Sequence, residues 1–249
     1  MLASILRREA CREVVMEDRS WRGIVERASP LLEAQGFDVV HPFRSSWWDE
    51  TVAAEERLPR FAKRSDCLAL LIGNTRALWP HFVAALEREP QRREEASPLD
   101  RFVEERVREV LARATVECDV ALRFAHESEP RYLPMQRLAA LAGLAPVSDG
   151  RLSAHPAYGP WFALRAVAIF DVDGPTGSAP EATAPCSGCE APCREAFEHA
   201  LAVGDARSDH AVLRERWRPW LAVRDACPVG REWRYSEEQI LYHYARRWS

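Results

Sequence analysis

The chain has 249 residues, 47% of them hydrophobic, and a formal net charge of −4. That much apolar material builds a sizeable core, the length fits one large domain or two small ones, and the acidic balance gives no electrostatic footprint for nucleic acid. No apolar run approaches the roughly 20 residues of a membrane span. Charges interrupt the first fifteen residues too early for a signal peptide. The cysteines, an odd count of 7, cluster late in the chain. They favour a reducing, cytoplasmic compartment with free thiols or a metal over a disulfide framework.

In chain order, Trp21 to Gln35 reads as a helix with Ile24, Ala28, Leu31 and Leu32 on one face. Gly36 suits its C-cap, and Pro30 predicts a kink or an earlier end. Phe37 to Val40 reads as a short strand, and Cys67 to Ile72 as a strand covered on both faces. Arg92-Arg93-Glu94-Glu95 is mixed in sign and reads as solvated surface. Ser97 as cap, Pro98 in the first turn and Asp100 open a helix. Phe102, Val103, Val107, Val110 and Leu111 are its buried stripe.

Asp119 to Phe124 follows as a strand, Met135 to Ala142 as a helix closed by Gly143, and Trp161 to Phe170 as a long central strand. Gly174 to Pro192 is a Gly, Ser, Pro and Thr-rich loop. Helices are expected at Cys193 to Val203, Ser208 to Trp217 and Ser236 to Arg247, the last with a capping box from Ser236 to Gln239. Mixed helices and strands without strict alternation predict an α+β fold. One domain is expected over residues 1–249, with 174–249 forming a cysteine-containing loop and a helical cap.

Four groups of residues bear chemistry. Arg165 is the lone charge in its strand and needs a partner: a core carboxylate, or a phosphate, carboxylate or amide of a ligand. The preceding turn, Tyr158-Gly159-Pro160, lets a flat ligand approach the backbone, beside aromatic side chains. Trp217-Arg218-Pro219-Trp220 with Arg224-Asp225 is either a helix end packed on the domain or a ligand lid in which Arg224 adds a cation. Cys186-x2-Cys189-x3-Cys193, followed much later by Cys227-Pro228, has soft-metal character and resembles an interrupted ferredoxin-type run. It reads as a 4Fe-4S iron–sulfur cluster site, a zinc site with Cys227 or His199 as fourth ligand, or a metal-free remnant. His155, before a proline in a turn, reads as a turn-former bonded to backbone rather than a general base. No phosphate loop, His-Glu-x-x-His or nucleophile elbow is present, so any chemistry falls to a bound cofactor.

The run from His155 to Arg165, HPAYGPWFALR, resembles the HPxFGGWFAIR signature of the cobalamin-processing proteins, the cyanocobalamin decyanase or methylmalonic aciduria and homocystinuria type C family. Trp217-Arg218-Pro219-Trp220 through Arg224-Asp225-Ala226 and Arg234-Tyr235-Ser236-Glu237-Glu238-Gln239 with Tyr242 extend the resemblance. Weaker matches lie at Gly36-Phe37-Asp38-Val39, at Pro42-Phe43 with Trp47, and at Ser97-Pro98-Leu99-Asp100. The resemblance implies a nitroreductase-like α+β fold with a central, mainly antiparallel sheet flanked by helices. It implies cobalamin bound with its lower ligand off cobalt at a cofactor site of Tyr158, Gly159, Trp161, Leu164, Arg165, Trp220 and Arg224, in which Leu164 and Arg165 would lie against the corrin and Arg224 would be a basic contact for the thiol cosubstrate or a cobalamin side chain. It also implies removal of the upper ligand, either by flavin-dependent reduction with NADPH and FMN or FAD, or by alkyl transfer to glutathione.

The sequence departs from the family near Ala140, where the family has a histidine, and at Ala145 to Gly150, which replaces a tyrosine- and glutamine-rich stretch. The chain stops before the family's more C-terminal arginine, for which Arg246 and Arg247 are substitutes. Ala142-Gly143-Leu144, the histidine-proline turn and the cysteine loop also resemble epoxyqueuosine reductase, a cobalamin and iron–sulfur enzyme. Three functions follow as expectations: a cobalamin reductase or dealkylase, a non-catalytic cobalamin carrier, and an iron–sulfur redox protein. None engages nucleic acid or membrane, and a monomer or homodimer is expected.

Overall fold

The computed structural model describes residues 20–62, 64, 66–115, 118–203 and 215–245. Its strands are β1 (Val39–Arg44), β2 (Leu68–Asn74), β3 (Val120–Phe124) and β4 (Ala163–Phe170). They form one sheet in the order β1-β2-β4-β3, antiparallel throughout. Sheet and helices together give the nitroreductase-like α+β architecture expected. No helix among the described residues is long and apolar enough to cross a membrane.

The two central strands carry cores on both faces, because successive side chains point to opposite sides. Leu68, Leu70 and Ile72 of β2 meet Ala166, Ala168 and Phe170 of β4 on one face. There they pack against α1 (Trp21–Glu33), α3 (Leu78–Arg88) and α4 (Pro98–Ala114). On the other face Ala69, Leu71, Val167 and Ile169 pack with Trp48 of α2 (Ser45–Asp49) and with Leu138 and Ala139 of α5 (Met135–Leu141). This double burial is why β2 reads as an unbroken apolar run.

The helices start and stop for local reasons. Ser20 Oγ accepts from the Gly23 N–H at 3.1 Å and caps α1. Pro30 lies inside α1 without ending it, and the helix closes at Glu33, two residues earlier than expected. Gly36 follows at φ 87°, where a Cβ would meet Leu78 Cα at 2.6 Å. The first strand lies further on than the sequence predicts, and Pro42 is tolerated in it because β1 is an edge. Helix α4 begins at Pro98 with all five stripe residues buried. The Ser97 hydroxyl, however, makes no capping hydrogen bond, since the residue sits at φ −144°, ψ 69°. Arg93 and Glu94 are exposed, as expected of a solvated run, but Arg92 departs from it. Its side chain is mostly covered and bonds Glu89 at 2.8 Å and Glu105 at 2.7 Å.

The C-terminal region is a helical cap. Helices α6 (Pro192–Val203) and α7 (Arg218–Asp225) pack together through Cys193, Ala200 and Val223. Helix α8 (Glu237–Ile240) runs on as a π-helical turn, Leu241–Ala245. Ser236 Oγ accepts from the Gln239 N–H at 3.2 Å, which is one half of the expected capping box. The Gln239 Oε1 atom is buried without a hydrogen-bond partner, so the box is not reciprocal. Most of the helix expected at Ser208 to Trp217, and Arg246 and Arg247, lie outside the described residues.

Candidate functional site

The signature segment forms a tight turn entering β4. His155 and Gly159 exchange backbone hydrogen bonds of 2.9 and 2.8 Å. The His155 Nδ1 atom accepts from the Ala157 N–H at 3.1 Å, and its ring stacks on Tyr158 with centroids 4.4 Å apart. Burial, then the nearby His41, push the His155 pKa down, so the ring is a neutral acceptor that builds the turn. Gly159 sits at φ 53°, and a Cβ there would lie 2.1 Å from the Val229 carbonyl oxygen. The space over Gly159 is therefore filled by the 227–230 turn. That corrects the expectation of a flat ligand at this spot.

Arg165 occupies a bulge. Ile72 pairs with Ala166 and Gly73 with Leu164, so Arg165 is an extra residue opposite no residue of β2. Such a bulge takes a side chain out of the strand's alternation. The Arg165 Nε–H donates to Asn74 Oδ1 at 2.7 Å, and Asn74 is fully buried. The partner is thus a neutral amide, not the core carboxylate weighed above. Burial pulls the Arg165 pKa below the ordinary arginine range.

Leu164 and Arg224 do come together. With Pro160, Phe162, Gln136 and Ser153 they line a cavity of about 250 Å³. Across Met135 and Gln136 this cavity adjoins a groove of about 700 Å³ that runs past Tyr132, Ala140 and Val147. Tyr132 and Val147 are 55% and 44% exposed, apolar rims on an open surface. Ala140 faces this groove. Trp161 lies beneath, fully buried, with the Arg224 and Arg234 guanidinium carbons each 5.7 Å from its ring centroid. Its ring also meets Tyr235 edge-on at 5.5 Å. This aromatic floor holds Arg224 by cation–π contact. Arg234 is tied down by Asp225 at 2.7 Å and Glu237 at 2.7 Å. Tyr158, Trp161, Arg165 and Trp220 do not line the cavity. Trp220 packs on Phe197 at 6.1 Å, which makes this end of α7 a helix packed on the cap.

The four cysteines converge independently. Cys186, Cys189, Cys193 and Cys227 all line a cavity of about 90 Å³, walled by Leu152, Pro160, Val223 and Val229. Cys193 lies in the first turn of α6, and Cys227 follows α7 directly. Cys189 Sγ accepts from the Ala191 N–H at 3.4 Å, and Ala191 itself is held at φ 54°. A Cβ on Gly150 would lie 2.9 Å from Cys193 Cβ, so glycine there leaves room for the cysteine. Burial and the neighbouring cysteines push the Cys186 thiol up. His199, weighed as a fourth ligand, is exposed on α6 and does not line this cavity. Among the described residues no three His, Cys, Asp or Glu side chains converge closely enough to hold a single metal ion. The thiol cavity shares Leu152 and Pro160 with the Arg224 cavity. Sequence reasoning missed Leu152, Gln136 and Ser153, which carry no motif and enter only through the fold.

No protein-family model matches the sequence, and no curated protein matches it either. Solved structures do. The chain is similar to the crystal structure of CblC, a B12-trafficking protein of C. elegans and a homologue of human MMACHC. The TM-score is 0.61 at 20% identity, over 89% of this chain and 90% of that one. It is also similar to epoxyqueuosine reductase, at TM-score 0.52 and 11% identity over 86% of this chain and 68% of that one. A complex of epoxyqueuosine reductase with an epoxyqueuosine-modified tRNA-Tyr stem loop matches at TM-score 0.50 and 12% identity, over 86% and 67%. At these identities the likeness is one of fold.

Proposed function

We propose that the chain binds cobalamin in the cleft formed by the Arg224 cavity and the adjoining groove, and that it promotes loss of the upper axial ligand. The observation that carries this reading is the cavity that brings Leu164 and Arg224 together beside the β4 bulge. Its support is the fold shared with a B12-trafficking protein. Leu164 and Phe162 offer apolar surface to a flat macrocycle, and Arg224 offers a cationic donor to its polar side chains. Arg165 acts here as a positioning residue. Bonded to Asn74, it fixes the bulge that turns Leu164 towards the cavity. Trp161 holds Arg224 in place from below.

Cobalamin supplies the cobalt chemistry, and displacement of its lower ligand eases reduction. The reaction class we favour is reductive decyanation or dealkylation, with NADPH and FMN or FAD, or glutathione, as the co-reactant. A carrier without turnover is the second reading. Ala140 favours it, because this groove residue offers no titratable side chain where the resembling family has a histidine.

The test is a visible spectrum of cyanocobalamin mixed with the purified protein. A shift to the form without its lower ligand is expected, and an unchanged spectrum overturns the proposal. Adding NADPH with flavin, or glutathione, separates the two readings. Formation of reduced or dealkylated product marks the enzyme, and a stable bound spectrum marks the carrier.

A further inference from the structure

We propose that a second cavity, walled by α2 and the loop after β4, binds a nucleoside diphosphate. This goes beyond the cobalamin reading and does not rest on it. The cavity has a volume of about 750 Å³, the scale of a small-molecule site. Helix α2 supplies Trp47 and Asp49, and the segment after it supplies Arg57 and Arg60. Arg44 ends β1, and Asp66 lies just before β2. Residues 177–179 of the loop form the far wall. The cobalamin proposal uses none of these side chains.

The formal charges here cancel, since the three arginines face Asp49, Asp66 and Glu50. The hydrogen-bonding capacity does not. Asp49, only 3% exposed, accepts from the Leu58 N–H at 2.9 Å on one oxygen. Its other oxygen accepts from the Arg60 Nε–H and Nη2–H at 3.2 and 3.0 Å. Asp66 accepts from the Ser46 N–H at 3.2 Å and the Ser45 hydroxyl at 3.4 Å on one oxygen, and from the Arg44 Nε–H on the other. These two carboxylates aim guanidinium groups and keep little accepting capacity of their own. Arg44 commits only its Nε–H, and Arg60 only Nε and Nη2. Arg57 is exposed and makes no hydrogen bond or ion pair among the described residues. A cavity with donors to spare and its buried acceptors consumed selects a ligand rich in anionic oxygens. Guanidinium groups arriving from separate segments suit two linked phosphates better than one.

Trp47 selects the rest of the ligand. It is half-buried, packs against the core and also lines the cavity. Its Nε1–H is committed to the Gly177 carbonyl at 3.3 Å. What it still offers is ring surface, on which a nucleobase stacks. Both walls are fixed before a ligand arrives. Gly143, at φ 80°, lets Pro180 come within 2.6 Å of where a Cβ would stand, which seats the loop. The Trp48 Nε1–H bonds the Glu56 carbonyl at 3.0 Å, which seats the turn before Arg57. Leu141 lines both this cavity and the groove of the cobalamin proposal. A nucleotide here would thus lie across the last turn of α5 from that groove.

Isothermal titration of the full chain with ADP, adenosine and inorganic pyrophosphate tests the site. ADP should bind most tightly, because it alone uses both the ring and the arginines. No binding at up to about 1 mM ADP overturns the proposal. So does pyrophosphate or adenosine binding as tightly as ADP. Arg57→Met should weaken ADP roughly tenfold, the worth of one charge-assisted hydrogen bond, and make the remaining affinity less sensitive to salt. Unchanged affinity in this variant overturns the proposal. Trp47→Leu should bring ADP down to the affinity of pyrophosphate while leaving pyrophosphate itself unaffected. Both variants should keep a wild-type far-UV spectrum. Arg88→Met, exposed on α3 and outside the cavity, should bind ADP as the wild type does; a loss equal to that of Arg57→Met also overturns the proposal. The readouts involve no cobalamin, so failure of this site and failure of the cobalamin reading are distinguishable.

Discussion

Arg165 and Arg224 show how differently two half-buried cations are managed. Arg165 bonds one buried amide oxygen at 2.7 Å, whereas Arg224 rests against the rings of Trp161 and Tyr235 at 5.7 and 5.6 Å. Neither has a carboxylate within ion-pair range among the described residues, but only Arg224 lines a cavity. Its donors are therefore the ones available to a ligand. Arg224→Met keeps the stem that covers Trp161 and removes the charge. The expected result is a roughly 10- to 100-fold loss of cobalamin affinity, the worth of one or two charge-assisted hydrogen bonds. Spectral titration reads it directly, and unchanged affinity would remove Arg224 from the site. The need for a partner at Arg165 was legible in the sequence, since it is the lone charge in an apolar strand. The partner was not, because Asn74 lies 91 residues away and belongs to a strand whose register no local pattern sets.

The elements that meet at the site are two turns, one before β4 and one after α7. Each contributes a glycine that the other turn presses on. A Cβ on Gly159 would lie 2.1 Å from the Val229 oxygen, and one on Gly230 would lie 2.2 Å from the Tyr158 oxygen. Both residues also have positive φ, at 53° and 73°, where a side chain is strained in any surroundings. Gly159→Ala is thus predicted to destabilise the chain by about 1–3 kcal/mol. The urea midpoint should fall, and the cleft lining should be disturbed because Pro160 is the next residue. A midpoint within error of wild type would mean that the two turns separate easily. Local pattern exposed most of the elements themselves. The α4 stripe and the double-faced β2 run are strong periodic signals. Helix α3 escaped because Pro80 lies near its start, where proline is compatible with a helix but looks like a break. The docking of the two turns left no local trace beyond glycines that fit several turn types.

At the scale of the whole molecule, the order β1-β2-β4-β3 depends on pairings between distant segments, which sequence periodicity does not encode. Its consequence is that His41 on edge strand β1 and His155 in the signature turn become electrostatic neighbours. Burial is the main cause that lowers the His41 pKa, opposed by its ring bond to the Ala142 carbonyl at 2.7 Å. Burial also leads at His155, where the His41 charge adds to it. His155 is enclosed by the rings of Tyr158 at 4.4 Å and Phe162 at 5.7 Å, neither of which offers a counter-charge. Both histidines thus bind protons less readily in the folded chain than in the unfolded one, whose value lies near 6.5. The unfolded state takes up more protons as pH falls, so stability decreases in that direction. It should be level above about pH 7, then drop as pH falls through about 6.5 towards the lower folded-state values. Urea midpoints measured from about pH 7.5 to 5 would trace this curve. Replacing both histidines by asparagine should flatten it, because carboxylates begin to titrate only below that window. An equal fall in the double variant would assign the dependence to other groups.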